Sequence, residues 1–224
     1  MNLKSFGCSF IFGSELSDDG RTGPYATGSC LTWPALLAKE FGYGYHTYAR
    51  PGSGNLQIAE RALCDLAATD KALYVIGWTW IDRFDYVNIL APEWLISDRQ
   101  KWKTIMPVDD TKLAKIYYKN LHSEYRDKLV TLMSIRLVID TLKQKNFPFI
   151  MTYVDSLMFD SQWHSSPAVT ELQNYIRPYM TEFNGTNFLE WSKQHGYPWG
   201  TSHPLEEAHA AAADYMLQLG VHKV

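Results

Sequence analysis

The sequence predicts an α/β fold: a mostly parallel sheet covered by helices on both faces. Three observations predict it. Strand-length apolar runs alternate with helical stretches along the chain. The clearest run, ALYVIGW at Ala72 to Trp78, is continuously apolar, as a strand buried on both faces requires. Turns rich in glycine and serine follow the early strands, at the sheet edge where open α/β folds place their ligands. With no internal repeat, low-complexity tract or linker, residues 1–224 read as one domain carrying a Trp-rich insertion at about 79–110.

Leu3 to Phe6 reads as the first strand and Gly13 to Cys30 as a long loop, with a turn at Ser17 to Gly20. In LTWPALLAKEFG, Trp33, Leu36, Leu37 and Phe41 recur at helical spacing and Gly42 ends the helix. His46 to Ala49 is a second strand, RPGSGN a glycine turn, and Ile58 to Ala68 a second helix. After the Ala72 to Trp78 strand, Thr79 to Asp110 has no clean period. Asp110 to Lys145 is charged and helical, either one broken helix or two. Phe147 to Val154 is a further buried strand, Ala168 to Met180 a helix, and Asn187 to Trp191 a short last strand. LEEAHAAAADYMLQLG closes the pattern as a helix with Glu206 and Glu207 in its first turn, where the helix dipole favours them.

Bulk composition excludes several classes. A hydrophobic content of 46% with 20% charged residues suits a globular chain, not a disordered or fibrous one. The net charge is -3 and no Lys/Arg run exceeds two, so a phosphate-backbone footprint is missing and nucleic acid is not an expected partner. Cys8, Cys30 and Cys64 lack CxxC spacing, which argues against a disulfide framework and a structural zinc site and for a reducing compartment. No signal peptide or membrane-length apolar run is seen, so the expectation is a cytoplasmic protein with no membrane partner.

Ser9 follows the first strand in FGCSFIFG, where its hydroxyl serves either as a nucleophile or as a helix cap. The G-x-S-x-G elbow is not matched, because Ile11 stands where the second glycine belongs. The late base candidate is His203, in the loop before the last helix and followed by Pro204. PGSGN brings two glycines between a strand and a helix, and their N–H groups are either oxyanion donors or part of a tight turn. The turn fails as a dinucleotide fingerprint, with Gln57 at the third glycine's place, and GxxxxGK[ST] and HExxH are both absent, so neither a cofactor nor a metal is expected. Cys8 and Ser29 are minor alternative nucleophiles.

Gly7-Cys8-Ser9-Phe10, Gly52-Ser53-Gly54-Asn55, Gly77-Trp78-Thr79 and Ser202-His203-Pro204, in that order, resemble the four blocks of the SGNH (GDSL-type) hydrolase family, and TWPALL at Thr32 to Leu37 is similar to its first helix. The resemblance spans Gly7 to about Leu217 and implies a flavodoxin-like three-layer α/β/α sandwich with an esterase-type site. It makes Ser9 the nucleophile, His203 the base, and the N–H groups of Ser9 and Gly54 oxyanion donors. Two departures stand out. The family's Gly-x-Asn-Asp block is replaced by Gly77-Trp78-Thr79-Trp80, so the Thr79 hydroxyl replaces the asparagine donor and one oxyanion donor is weakened or lost, with Asn55 as a further stand-in. The Asp-x-x-His block has Gly200 at the acid's position, which leaves a Ser-His dyad unless a carboxylate arrives from elsewhere.

In the insertion, Arg83 with Trp78 is a candidate to hold a substrate carboxylate or stack on a sugar, against the alternative of a surface pair with Asp82 or Asp85. Trp94, Trp102, Trp163 and Trp199 together would wall a cleft for a carbohydrate ester. The expectation is therefore a serine hydrolase acting on a small or carbohydrate-linked ester. The rivals are a non-catalytic glycan- or protein-binding module on the same fold and an acyltransferase using the same residues.

Overall fold

A computed structural model describes residues 1–19, 27–68, 71–87 and 102–220. Four strands, β1 (Asn2–Phe6), β2 (Gly44–Thr47), β3 (Leu73–Trp78) and β6 (Phe149–Tyr153), pair in parallel in the order β2-β1-β3-β6. Leu3 lies opposite Leu73, and Trp78 opposite Tyr153, so the carboxyl ends of β1, β3 and β6 reach one edge. All six residues of β3 are buried, in keeping with its unbroken apolar run. Among the described residues, the sheet continues beyond β6 as a parallel bridge between Met151 and Met180.

Strand alternation divides the core into two halves, and helices close each. Phe6, Tyr74, Ile76, Trp78, Met151 and Tyr153 pack beneath α3 (Asn55–Ala68), α5 (Glu124–Gln144) and α6 (Pro167–Ile176). Leu3, Leu73, Val75 and Ile150 pack beneath α1 (Ser9–Phe12), α2 (Trp33–Glu40), α7 (Phe188–Gln194) and α8 (Glu206–Gln218). This is the expected three-layer α/β/α sandwich with a mostly parallel sheet. No helix among the described residues is long and apolar enough to cross a membrane.

Two expectations need correction. Asn187 to Trp191 is not a strand: the Asn187 side chain caps α7 by accepting from Glu190 N at 2.9 Å, and Phe188 and Trp191 share a buried face at i, i+3. The short apolar run FLEW fits either period, and the cap decides it. The insertion, read as irregular, contains an antiparallel ribbon of β4 (Phe84–Val87) and β5 (Trp102–Ile105). Its Phe84 stacks at 4.1 Å on Tyr117 of α4 (Lys112–Asn120). The Asp110 to Lys145 stretch resolves into two helices, α4 and α5, with Ser123 capping the second through Arg126 N.

Candidate active site

β1 delivers the chain to the sheet's carboxyl edge and α1 begins at once. Ile11 of α1 sits over the strand ends only because Gly7 and Gly77 lack side chains; a Cβ at either would lie 2.6 or 2.5 Å from Ile11 Cγ1. Cys8 is the N-cap of α1 and its side chain makes no capping bond, so Ser9 is the first helical residue and not the cap. Ser9 is mostly buried, 7% exposed. Cys8 is buried in the core, and Ser29 is spent on Asp18 by a hydroxyl hydrogen bond, with Leu31 N donating to Ser29 Oγ.

The loop before α8 is folded on itself by an antiparallel bridge between Trp199 and Pro204 and by Gly200 N donating to the His203 carbonyl at 2.9 Å. It sets the His203 ring against Phe10, the neighbour of Ser9, with ring centres 5.0 Å apart. The Nδ1 edge of that ring faces a carboxylate that sequence reading did not single out. Glu15 Oε1 lies 3.3 Å from His203 Nδ1, and Ser202 Oγ lies 3.1 Å from both atoms. Glu15 Oε2 accepts from Ser202 N at 3.2 Å and from His203 N at 3.3 Å. Burial pushes the Glu15 carboxyl up, but these bonds from Ser202 and His203, with the attraction of the imidazole, outweigh it and hold the group below the ordinary glutamate value.

The expected oxyanion donors are differently occupied. Gly54 N donates to Asp85 Oδ1 at 3.0 Å, and Gln57 N to Asp85 Oδ2 at 2.9 Å. Asp85 of β4 thus caps α3 from a distance, in the space that a Gly54 side chain would take; a Cβ there would lie 2.5 Å from Asp85 Oδ2. Burial raises the Asp85 carboxyl, opposed by hydrogen bonds from Thr104, Gln57 N and Gly54 N and by the charge of Arg61. The Asn55 side chain accepts from Thr79 N at 2.8 Å and donates to the Thr79 carbonyl at 3.0 Å, so it clamps the backbone after β3. The Thr79 hydroxyl is buried and has no hydrogen-bond partner among the described residues. Buried Arg61 ties the first two turns together, donating to Ser53 Oγ at 2.9 Å and to the Gly7 carbonyl at 3.4 Å.

No family profile matches the sequence, and no curated protein matches it. Among solved structures, a carbohydrate esterase, described as one whose active site displays divergent catalytic and non-catalytic binding functions, superimposes with a TM-score of 0.52 at 14% identity, over 98% of this chain and 68% of that one. A catalytic mutant of an acetylxylan esterase from Geobacillus stearothermophilus superimposes with a TM-score of 0.52 at 13% identity, over 97% of this chain and 92% of that one. The chain has the SGNH-hydrolase fold.

In this SGNH-hydrolase fold the tryptophans do not line up as expected. Trp78 is corrected from a substrate contact to a core residue: it is fully buried and packs on the α3 and α5 side of the sheet. Strand parity with Tyr74 and Ile76 sends it there. Trp80, two residues on and past the strand end, packs instead at 5.5 Å on Phe10. Arg83 stacks over Trp80 at 4.7 Å and donates to the Ser53 carbonyl at 2.9 Å, rather than pairing with Asp82 or Asp85. Trp163 and Trp199 pack against opposite halves of the core, so no single wall joins them; Trp102 lies in the ribbon and Trp94 outside the described residues. An apolar groove of about 380 Å³ between the ribbon and α4, lined by Phe84, Tyr86, Ile105, Leu113, Ile116 and Tyr117, contains neither Ser9 nor His203.

Glu15 is the site residue that sequence reading missed. The only trace of it in the sequence was Gly200, a glycine where the resemblance expects an acid, and the structure shows what fills its space.

Proposed function

We propose that this chain is a serine hydrolase that cleaves a small or carbohydrate-linked ester. The observation that carries the reading is the convergence of two distant segments: the loop before α8 sets His203 against Phe10, beside Ser9 at the carboxyl edge of β1. In this reading Ser9 Oγ attacks the ester carbonyl carbon while its proton passes to His203 Nε2, the ring nitrogen opposite the one facing Glu15. The tetrahedral intermediate collapses, its C–O bond to the alcohol breaks, and the leaving alkoxide takes the proton from His203. Water, deprotonated by His203, then attacks the acyl-enzyme and releases the carboxylic acid with Ser9 restored. The Ser9 N–H serves as an oxyanion donor; Gly54 N–H would join it only after leaving Asp85. The carbohydrate part of the reading is supported by the esterase neighbours and by Trp80 and Arg83, stacked together beside Phe10.

A fluorophosphonate probe tests this through intact mass, since Ser9 Oγ attack on phosphorus expels fluoride and leaves a stable adduct. One adduct is expected on the wild type and none on Ser9→Ala, with His203→Ala labelling far more slowly. An unlabelled wild type would refute the assignment of Ser9 as an activated nucleophile.

A second reading, a glycan-binding module on the same fold, is favoured by one observation: Gly54 N–H and the Asn55 amide are both committed to internal bonds. Saturable oligosaccharide quenching of tryptophan fluorescence, with no ester turnover and no probe adduct, would select it.

A further inference from the structure

We infer that Glu15 is the positioning carboxylate of His203, supplied by the loop after α1 in place of the acid missing at residue 200; the inference rests on the Ser9 and His203 reading above.

Three independent features carry it. The first is contact: one Glu15 oxygen meets His203 Nδ1 both directly, at 3.3 Å, and through the Ser202 hydroxyl, while the other receives two backbone N–H groups of the same loop. A carboxylate so held fixes the ring's tautomer, with the proton on Nδ1, and stabilises the imidazolium that forms when Nε2 takes a proton. The second is exchange of space. A Cβ at Gly200 would fall on Glu15 Oε2 and within 3.1 Å of Cδ, so an aspartate at the family's position would displace the Glu15 carboxylate from its present place. The third is backbone cost. Glu15 is held in the left-handed region, at φ 74, where a side chain other than glycine or asparagine is disfavoured. Glu15 N donates to Asp19 Oδ2 at 3.0 Å, and Ser17 N donates to Glu206 Oε1 at 2.7 Å, which together fasten the turn to α8.

The competing explanation is a staple: Glu15 merely holds the 200–203 loop shut. Glu15→Gln separates the two, because glutamine keeps an oxygen for the backbone N–H groups and loses the charge. Two readouts apply. The first, NMR titration of the His203 imidazole, needs no catalysis. Among the described residues, Glu15 faces that ring and His209 of α8, neutral at pH 7, is coupled to it, with Glu206 beside His209. With the carboxylate present the imidazolium is favoured, so Glu15→Gln lowers the His203 midpoint by at least tenfold in proton affinity; an unchanged midpoint and tautomer overturns the inference whether or not Ser9 is reactive.

The second readout is the fluorophosphonate labelling rate. Glu15→Ala is expected to slow it on the order of 10³- to 10⁴-fold, the scale at which an orienting carboxylate acts. Adding Gly200→Asp to Glu15→Ala returns the carboxylate from the other side and recovers at least tenfold of that loss, whereas Gly200→Asp alone slows labelling by crowding Glu15. A double variant no faster than Glu15→Ala refutes the exchange. A wild type that does not label, with a Glu15-dependent His203 midpoint, sinks the hydrolase reading and leaves the positioning role standing.

Discussion

His209 makes the protein's stability fall with acidity, and the size of the effect follows from where it sits. It is enclosed in α8, 1% exposed, with its ring 5.1 Å from Phe188. Nδ1 accepts from Trp33 N at 3.3 Å, supplying the first turn of α2 with the acceptor that Thr32 does not provide. Burial, with a smaller push from His203 and against the pull of Glu206, lowers its pKa from 6.5 to about 3. The sign is fixed by which state binds the proton: between pH 6.5 and 3 the unfolded chain takes up a proton that the folded chain refuses, so stability is lost as pH falls through that window. From pH 7 to pH 5 the loss from this one group is about 2 kcal/mol. His209→Asn retains an acceptor for Trp33 N and removes the titration. It costs about 1–3 kcal/mol at pH 7 through the lost ring volume. Urea unfolding at pH 7, 6 and 5, followed by tryptophan fluorescence, measures both terms, and the difference between variants cancels the other histidines to first order. The variant's loss from pH 7 to 5 is expected to be smaller by about 2 kcal/mol. Parallel stability curves would refute the assignment of a buried neutral imidazole.

Gly77→Ala places a methyl 2.5 Å from Ile11 Cγ1 and is expected to destabilise by about 1–3 kcal/mol, with Ile11→Ala in the same chain losing less than the sum of the two single changes; additivity in urea unfolding would show that the two do not share the space. Asp85→Ala leaves Gly54 N and Gln57 N buried without their acceptor and is expected to cost on the order of 3 kcal/mol, Asp85→Asn distinctly less; equal losses in the two variants would mean that the ribbon's packing, not the cap, is what Asp85 supplies.

The parts of this fold that were legible in the sequence are those set by local chemistry. β3 announces itself as an unbroken apolar run, and α2 and α8 by their helical spacing, whereas Asn187, which caps α7, opens a run whose period reads equally as a strand. Ser9 and His203 were singled out as residues that their elements would place at the sheet's edge, and the structure puts Ser9 there and His203 against its neighbour Phe10. Trp78 was legible too, had strand parity been weighed above the side chain's chemistry, since Tyr74, Ile76 and Trp78 must share a face. What the sequence hides is pairing between segments. Glu15 meets His203 across 188 residues, through a turn whose left-handed backbone no residue type advertises. Asp85 looked like half of a surface pair with Arg83, yet a buried carboxylate capping α3 and an arginine stacked on Trp80 is what the fold assembles.

Gly200 departs from the SGNH pattern and Gly54 keeps it, yet the two positions share one physical form. At Gly200 and at Gly54 the chain carries no side chain, and in both places a carboxylate from a distant segment occupies the space. At Gly200, on the positioning role inferred above, Glu15 brings a negative charge to the imidazole edge that the family's acid would serve. At Gly54 the visiting carboxylate does the opposite, because Asp85 takes up an N–H that an oxyanion would otherwise use. On the proposed hydrolase reading the two sites therefore pull the chemistry in different directions, one preparing the base and the other withholding a donor. Their relative weight separates an efficient esterase from a slow one: losing an oxyanion donor costs about 10² to 10³ in turnover, while losing the orienting carboxylate costs roughly 10⁴. On the proposed reading, a chain that keeps the second and gives up the first retains the larger share of its rate, so an occupied Gly54 N–H is compatible with a slow esterase.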